Sequence, residues 1–531
     1  MGFVCRLLSA LMLVAAFARL AHADPFHQQT VPLGERALGM GGAFTGVAND
    51  PSAAFYNPAG IALLEDSALS ASLTVNAFDR HTVEDGYRGA GGSVDLTHRS
   101  QPTLPVFVSL VKQVGRRDAQ RQRKHAVALS TFTVDQRRLQ FDVTLRNADD
   151  QGRGVVKNLR IETEESTIWH GGTYAYRVSP SLALGLSGFL SLSRSRYAQN
   201  ETTVTLGAFN ADQNTYENPT VSVDDRVATS DVKAIVLRIG GWYAARPDLA
   251  LGLMLQPPGI PLSGNGTIRD RRVFSDALSD PPYGTYFDPG KAKVSAALPT
   301  PWTLRAGVSY QPRPHITLSA DGALYGGSGT RRDPVRALGD APIDPVTGGT
   351  PTAGEYVATS WYRRVSGNAS LGMESTIRDK VVVRSGVFTD LSSAPSIDRP
   401  TDVYSPADID RFGAALSVGI VASGYDVSIG AAGLYGRGDA LAYNTNVADD
   451  PSDPAYFSYV PTRVTDQTVF VFISGAKRAA QRLAKQTYKK VEDRLREEPE
   501  AIDAAAPAEP KPVESAPAPP VAAPMEPESV P

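Results

Sequence analysis

The sequence predicts an all-β chain, a 14-stranded antiparallel transmembrane β-barrel with an N-terminal hatch (plug) in the lumen. Three observations predict it. Apolar residues alternate with small or polar ones over stretches of about ten residues, the length of a strand tilted across a bilayer. The connections between these stretches alternate short and long, as short periplasmic turns and long outer loops do. A Gly- and Ala-rich block without any period, "LGERALGMGGAFTGVANDPSAAFYNPAG", precedes the first strand. The composition, with 42% hydrophobic residues, 47 glycines and 20 tyrosines, fits one large barrel. A soluble β-sandwich would not sort its loops by parity.

Residues 1–23 read as a secretory signal peptide, with Arg6, an apolar run from Leu7 to Phe17 and the closing Ala21-His22-Ala23. Cys5, the chain's only cysteine, leaves with it, so the mature chain has no thiol chemistry. Loss of Arg6 and Arg19 leaves 51 basic against 56 acidic residues, a net charge of −5, which argues against a nucleic-acid partner. Residues 24–66 form the hatch, where Pro58 forbids both a helix interior and a central strand.

Residues 67–475 form the barrel, with strands expected near 69–80, 103–113, 124–146, 159–178, 181–198, 230–246, 248–264, 290–312, 315–327, 355–376, 379–391, 409–423, 424–437 and 464–474. "LALGLMLQ" places Leu249, Leu251, Leu253 and Leu255 opposite Ala250, Gly252, Met254 and Gln256. "PWTLRAGVSYQ" alternates Trp302, Leu304, Ala306, Val308 and Tyr310 with a polar or small set. Short turns fall at Ser179-Pro180, Pro247, Arg313-Pro314, Arg378 and Ser423-Gly424, and the basic 114–123 segment reads as a solvated turn. An even strand number leaves both termini in the periplasm of a Gram-negative cell and the barrel in the outer membrane, a product of the barrel assembly machinery. Residues 476–498 read as a periplasmic amphipathic helix with Ala480, Ala484, Tyr488, Val491 and Leu495 on one stripe. Residues 499–531 are a Pro/Ala-rich tail that suits a disordered segment or a periplasmic partner.

The block "RALGMGGAFTGVANDPSAAFYNPAG" resembles the N-terminal hatch of the long-chain fatty acid outer-membrane transporter family (FadL-type), with Asn57, Pro58 and Ala59 matching its Asn-Pro-Ala motif. "LPTPWTLRAGVSYQPRPHITLSAD" and "VVVRSGVFTDLSSAPSIDRP" are similar to later strands of that family, so the resemblance spans about residues 26 to 474. It implies passive uptake of long-chain fatty acids or other hydrophobic small molecules through a hatch-gated barrel with lateral release at a kinked third strand. "DQRR" at 135–138 marks a kink or bulge in that strand. The resemblance puts the ligand's landing groove on loops 199–229 and 265–289, with Phe209, Tyr216, Phe274, Tyr283, Tyr286 and Phe287 as its aromatics. An aromatic-hydrocarbon channel, and an outer-membrane scaffold or secretion accessory of the same fold, are the alternatives.

Within the lumen, Phe44, Phe55 and Tyr56 are the hatch's expected contacts to the ligand. Arg238 and Arg384 lie in lumen phase and are candidates for a fatty-acid head group. Arg305 and Asp321 are expected to face each other as a structural ion pair, if the turn joining their strands pivots on Arg313. Arg194 and Arg196 fall in phase with Leu190 and Leu192 and so face lipopolysaccharide and outer-membrane lipid at the rim. The six histidines of the mature chain (27, 81, 98, 125, 170 and 315) show no metal-ligand spacing, and no motif of a serine hydrolase surrounds them. No catalytic residue, metal or cofactor is expected.

Overall fold

The computed structural model describes residues from Phe26 to Lys477, except 29–31, 65–67, 90–91, 101–106, 118–122, 149–153, 207–208, 213, 217–219, 277–282, 288–291, 297, 299, 328–336, 339–362, 402–404, 423–424, 445–456 and 458. The signal peptide, all but the first residues of the 476–498 helix and the 499–531 tail lie outside the described residues.

Eighteen strands of four residues or more follow the inner segment 26–64. They are β1 (Ala68–Gly89), β2 (Gly92–Ser100), β3 (Phe107–Arg117), β4 (Arg123–Ala148), β5 (Gly154–Arg177) and β6 (Leu182–Thr205). Then come β7 (Thr220–Arg246), β8 (Leu249–Gln256), β9 (Ile260–Asp276), β10 (Tyr283–Phe287), β11 (Ala292–Ser295) and β12 (Thr303–Arg313). The last six are β13 (Ile316–Tyr325), β14 (Ser366–Ile377), β15 (Val381–Asp390), β16 (Asp408–Ala422), β17 (Tyr425–Asn444) and β18 (Tyr459–Lys477). Neighbouring walls pair antiparallel, and the sheet closes where β18 pairs with β1 from Val464–Val83 to Ala476–Ser70. The closed barrel has 15 strands, with 3 more outside it, where the alternation predicts 14.

The excess has a local cause. Several walls of the barrel are made of consecutive segments laid end to end. β2 and β3 lie along successive parts of β1. β8 and β9 lie along successive parts of β7, separated by Pro257, Pro258 and Gly259. Proline has no N–H to give a ladder, so it divides a strand without ending the crossing. β10 and β11 line β9, and β12 continues along β8.

Alternation sorts the side chains as the sequence requires. On β8, Leu251, Leu253 and Leu255 are 44%, 53% and 45% exposed, whereas Ala250, Met254 and Gln256 are buried. The outward leucines continue around the wall through Leu184, Leu186, Leu304, Leu324, Leu371 and Leu416 to form an apolar belt. A continuous band of half-exposed leucines is the outward face of a strand against hydrocarbon. At the short-turn end, Arg378 and Asp379 both adopt left-handed φ (50° and 55°), the two-residue turn whose twist matches a hairpin.

Three details differ from the sequence reading. The β12–β13 turn pivots on Pro314-His315, one position later than expected, so Leu304 faces Leu324, Arg305 faces Ala323 and Asp321 faces Gly307. Arg305 and Asp321 are thus inward neighbours on a diagonal rather than opposite each other. Much of the expected loops 81–102, 199–229 and 265–289 is strand, because β1, β6, β7 and β9 continue past the apolar belt. Those extensions run beyond the apolar belt and are rich in polar residues, as in "TVSVDDRVATS", so their outer face lacks the alternation that marks a lipid-facing strand. The irregularity of β4 falls between Thr133 and Asp135, at the edge of the expected "DQRR" position.

Candidate functional site

The inner segment is short turns and one-turn helices: α1 (Glu35–Gly39), α2 (Ala53–Tyr56) and a 3-10 turn over Pro58–Leu63. Gly34, Gly41 and Gly42 take φ of 94°, 64° and 83°, which lets the chain reverse within a few residues. Nearly every described residue from Leu33 to Leu64 is buried against the wall.

Asn57 seats the segment. It caps the 3-10 turn by accepting from Ala59 N (3.3 Å), and its Nδ2 donates to Thr45 O (3.1 Å) and to Gly241 O on β7 (2.9 Å). Pro58 takes the first position of the turn, where a missing N–H costs nothing. The wall beneath is built from glycines. A Cβ at Gly185, Gly240 or Gly252 would overlap Pro58, Asn57 or the Thr45 carbonyl. The glycines inside "LALGLSG", "RIGGWY" and "LALGLM" therefore let backbone meet backbone across β6, β7 and β8.

Further polar ties fix the segment to the rest of the wall. Asp321 Oδ2 on β13 accepts from the backbone N–H of Phe44 (2.9 Å) and Thr45 (2.7 Å). Arg36 holds Glu374 of β14 through two 2.9 Å bonds. Gln113 and Arg177 donate to the Ile61 and Ala62 carbonyls (2.8 and 2.5 Å), and Trp242 Nε1 donates to Gly46 O (2.9 Å). Inside the segment, Asp50 Oδ1 accepts from Ser52 N (2.7 Å) while its Oδ2 has no hydrogen-bond partner. Burial pushes the Asp50 carboxyl above its ordinary range, against the pull of Arg36.

Next to this seat lies an aromatic cluster. Phe55 meets Phe132 and Trp169 with ring centroids 5.5 and 6.0 Å apart, and Phe189 packs on both at 5.3 and 5.8 Å. Phe107 stacks on Phe132 at 5.5 Å. Tyr56 connects Phe55 to Phe44 at 5.2 and 5.7 Å, so all three expected hatch aromatics belong to one apolar core. Arg238 enters this cluster from β7. Its guanidinium lies 4.0 Å from the Phe55 ring centroid and 4.8 Å from that of Trp169. Nε donates to Gln256 Oε1 (2.9 Å) and Nη1 to the Phe55 carbonyl. No described carboxylate pairs with it, and Nη2 makes no hydrogen bond to a described residue. Among the described residues, the buried Trp169 Nε1 also lacks a partner. An Arg238 Nη2 without a described acceptor and a buried, unsatisfied Trp169 Nε1 thus border one aromatic cluster, and a buried donor such as this indole N–H normally has an acceptor.

Arg384 differs. Its buried guanidinium is committed to Glu374 (2.8 Å), Ser428 (2.8 Å) and Asp426 (2.6 Å). Arg305 donates to the Tyr325 hydroxyl (3.1 Å) and lies over the Tyr56 ring. Phe274 of the expected landing groove is half-buried in β9, whereas the side chains of Phe209, Tyr216, Tyr283, Tyr286 and Phe287 lie outside the described residues. Among the described residues no His/Cys/Asp/Glu group has metal-binding geometry.

A closed barrel with an apolar belt and an N-terminal segment packed inside it has the architecture of a transmembrane β-barrel. Its structural neighbours are FadL homologues and toluene transporters of the FadL outer-membrane family. The crystal structure of a Pseudomonas aeruginosa FadL homologue matches with a TM-score of 0.55 at 16% identity, covering 86% of this chain and 99% of that one. The Pseudomonas putida toluene transporter TodX matches at 0.52 and 13% identity (84% and 98% covered). The Ralstonia pickettii toluene transporter TbuX matches at 0.50 and 14% identity (85% and 99% covered). At these identities the likeness is one of fold. No family model and no curated protein matches the sequence.

Proposed function

We propose that the protein is an outer-membrane channel for passive uptake of hydrophobic molecules with a polar acceptor group, long-chain fatty acids above all. In this reading the chain crosses the membrane fourteen times, with each set of end-to-end segments counting as one crossing. Both termini lie in the periplasm, the extended ends of β4–β7 stand outside the cell, and residues 26–64 are a hatch.

The observation that supports the substrate reading is a guanidinium packed on the Phe55 and Trp169 rings, whose Nη2 has no described acceptor, next to the buried and unsatisfied Trp169 Nε1. The rings offer an apolar surface to an alkyl chain, and the donors offer a carboxylate what the protein itself does not supply. Arg384, saturated by two carboxylates, is left out, so the head-group role falls to Arg238. Arg305 and Asp321 act structurally, as charges that hold Tyr56 and the Phe44–Thr45 backbone. The toluene transporters among the neighbours favour a second reading, aromatic hydrocarbons, for which the rings alone suffice.

Arg238→Ala and Trp169→Phe separate the two. A lost charged hydrogen bond is worth about 1.5–3 kcal/mol, so oleate binding is expected to weaken by about ten- to a hundredfold in Arg238→Ala. Toluene uptake should stay near the wild-type rate. Equal loss of both substrates, or of neither, would favour the hydrocarbon reading.

A further inference from the structure

On the outer surface of the barrel, the apolar belt on β1, β16, β17 and β18 ends at Phe78, Phe412, Tyr435 and Val469, all about half or more exposed. Outward residues recur every second position, so the next outward rung lies about 7 Å further along. On that rung Arg80 of β1 stands directly opposite Arg99 of β2. Both are exposed, and like charges placed opposite each other on adjacent strands repel. Arg437 follows two residues after Tyr435, and Arg463 lies one rung beyond it on β18. None of these four arginines makes an ion pair or hydrogen bond with a described residue.

Acidic groups lie within reach and are turned to other work or left unengaged. Asp410, directly opposite Arg437, accepts instead from Ser392 N (3.1 Å). Asp439, opposite Arg463, forms no ion pair with it. Glu84 and Asp439 line, together with Arg437, Arg463 and Thr465, a cavity of about 240 Å³. The rim on β5–β7 is built differently. There Arg194 pairs with Asp231 (2.6 Å), and Arg196 and Arg138 share Glu162 (3.0 and 2.6 Å). Those pairs satisfy the arginines expected to face lipopolysaccharide, and the unneutralised charge lies on the β1/β2 and β17/β18 face instead.

We propose that Arg80, Arg99, Arg437 and Arg463 form a site for the phosphates of an outer-leaflet glycolipid. Its acyl chains lie against Phe78, Phe412 and Tyr435. A phosphate between Arg80 and Arg99 turns a repulsive pair into two charge-assisted contacts, and guanidinium groups match phosphate oxygens bidentately. The height fits, because the rung lies immediately beyond the hydrocarbon belt, where lipid phosphates lie. The proposal rests on the membrane orientation given above and is independent of the substrate reading.

The test is native mass spectrometry of the full-length protein in detergent with diphosphoryl lipid A, dephosphorylated lipid A or phosphatidylglycerol. Diphosphoryl lipid A should be retained best, and R80E/R99E should bind it at least about tenfold more weakly. R437E/R463E should weaken it as well, whereas R194E, which breaks a pair on the other rim, should not. Heat-modifiable migration on gels checks that each variant is folded, and unchanged oleate and toluene uptake shows that the channel is intact. Undiminished lipid A binding by folded R80E/R99E, or equal binding of the dephosphorylated lipid, would overturn the proposal. Displacement by inorganic phosphate at the lipid's own concentration would reduce the site to a bare anion site and equally overturn it. Preference for phosphatidylglycerol would place the rung in the inner leaflet. That orientation failure is read separately from labelling of Asp439→Cys by an impermeant maleimide on intact cells.

Discussion

Asp321 shows how one residue ties the inner segment to its wall. Its carboxylate receives two backbone N–H groups, from Phe44 and Thr45, that have no other described acceptor. Asp321→Ala leaves both donors buried, at about 1–3 kcal/mol each. A lower unfolding temperature and leakage of a hydrophilic antibiotic through a loosened lumen are expected. Asp321→Asn keeps one acceptor oxygen and should recover much of the loss. Unchanged stability and permeability in Asp321→Ala would remove this contact from the account. Little of it is legible in the sequence. The lumen phase of Asp321, Arg238 and Arg384 follows from alternation, but their partners do not. Asp321 Oδ2 accepts from main chain up to 277 residues away, and main chain carries no residue-type signal. Trp169 is hidden for a related reason. It sits in "TEESTIWHGG", a run polar on both faces, and whether its N–H is satisfied depends on β7 and the inner segment.

At the scale of elements, the strands with a lipid face were readable because leucines at every second position have only one physical explanation. Their ends were not, because β6 and β7 pass from lipid to water without a break in pairing, while the change of solvent removes the pattern. The β12–β13 register gives a direct check. With Cys5, the chain's only cysteine, replaced by Ser, Leu304→Cys with Leu324→Cys should oxidise to a disulfide, since opposed residues meet its Cα spacing. Trp302→Cys with Leu324→Cys, the pairing of a turn centred on Arg313, should stay reduced. The reverse pattern would contradict the register. The glycine floor gives a second check. Gly240→Val places a branched side chain where Asn57 and Pro58 lie. Overpacking costs about 1–3 kcal/mol, so the variant should melt earlier and show its inner segment to proteases, while Gly433→Val, whose Cβ would meet only ordinary contacts at 3.8 and 3.9 Å, should not. Equal protection of both variants would mean that the glycines do not seat the motif.

For the molecule as a whole, three buried apolar clusters lie within the barrel among the described residues, one of them joining Leu38 to Phe388, Phe470 and Phe472. The inner segment and the aromatic cluster form one apolar core, and Val83, Tyr87, Leu96, Phe141 and Leu159 with Ile409 and Val464 form a second beyond it, among the strand extensions. A molecule crossing the barrel must displace or bypass the first of these. The sequence shows why such a displacement is affordable in only one place. The Gly- and Ala-rich segment holds its seat through discrete polar contacts at Asn57, Asp321 and Glu374, whereas the wall is a continuous ladder of strand pairs. A segment held in this way can take two arrangements, and a ligand shifts them only if it binds one better than the other. Phe55, which touches both Arg238 and the aromatic cluster, is the residue through which a bound carboxylate would act on the segment. The central claim is that this segment moves for transport to occur. It is tested by joining Ala59→Cys to Ala183→Cys on β6, beside the Gly185 against which Ala59 packs. The account expects labelled oleate uptake to fall to background when the pair is oxidised and to return on reduction, with each single-cysteine variant unaffected. Uptake that is the same before and after reduction, with the crosslink confirmed, would show that the segment is a fixed plug and contradict the claim.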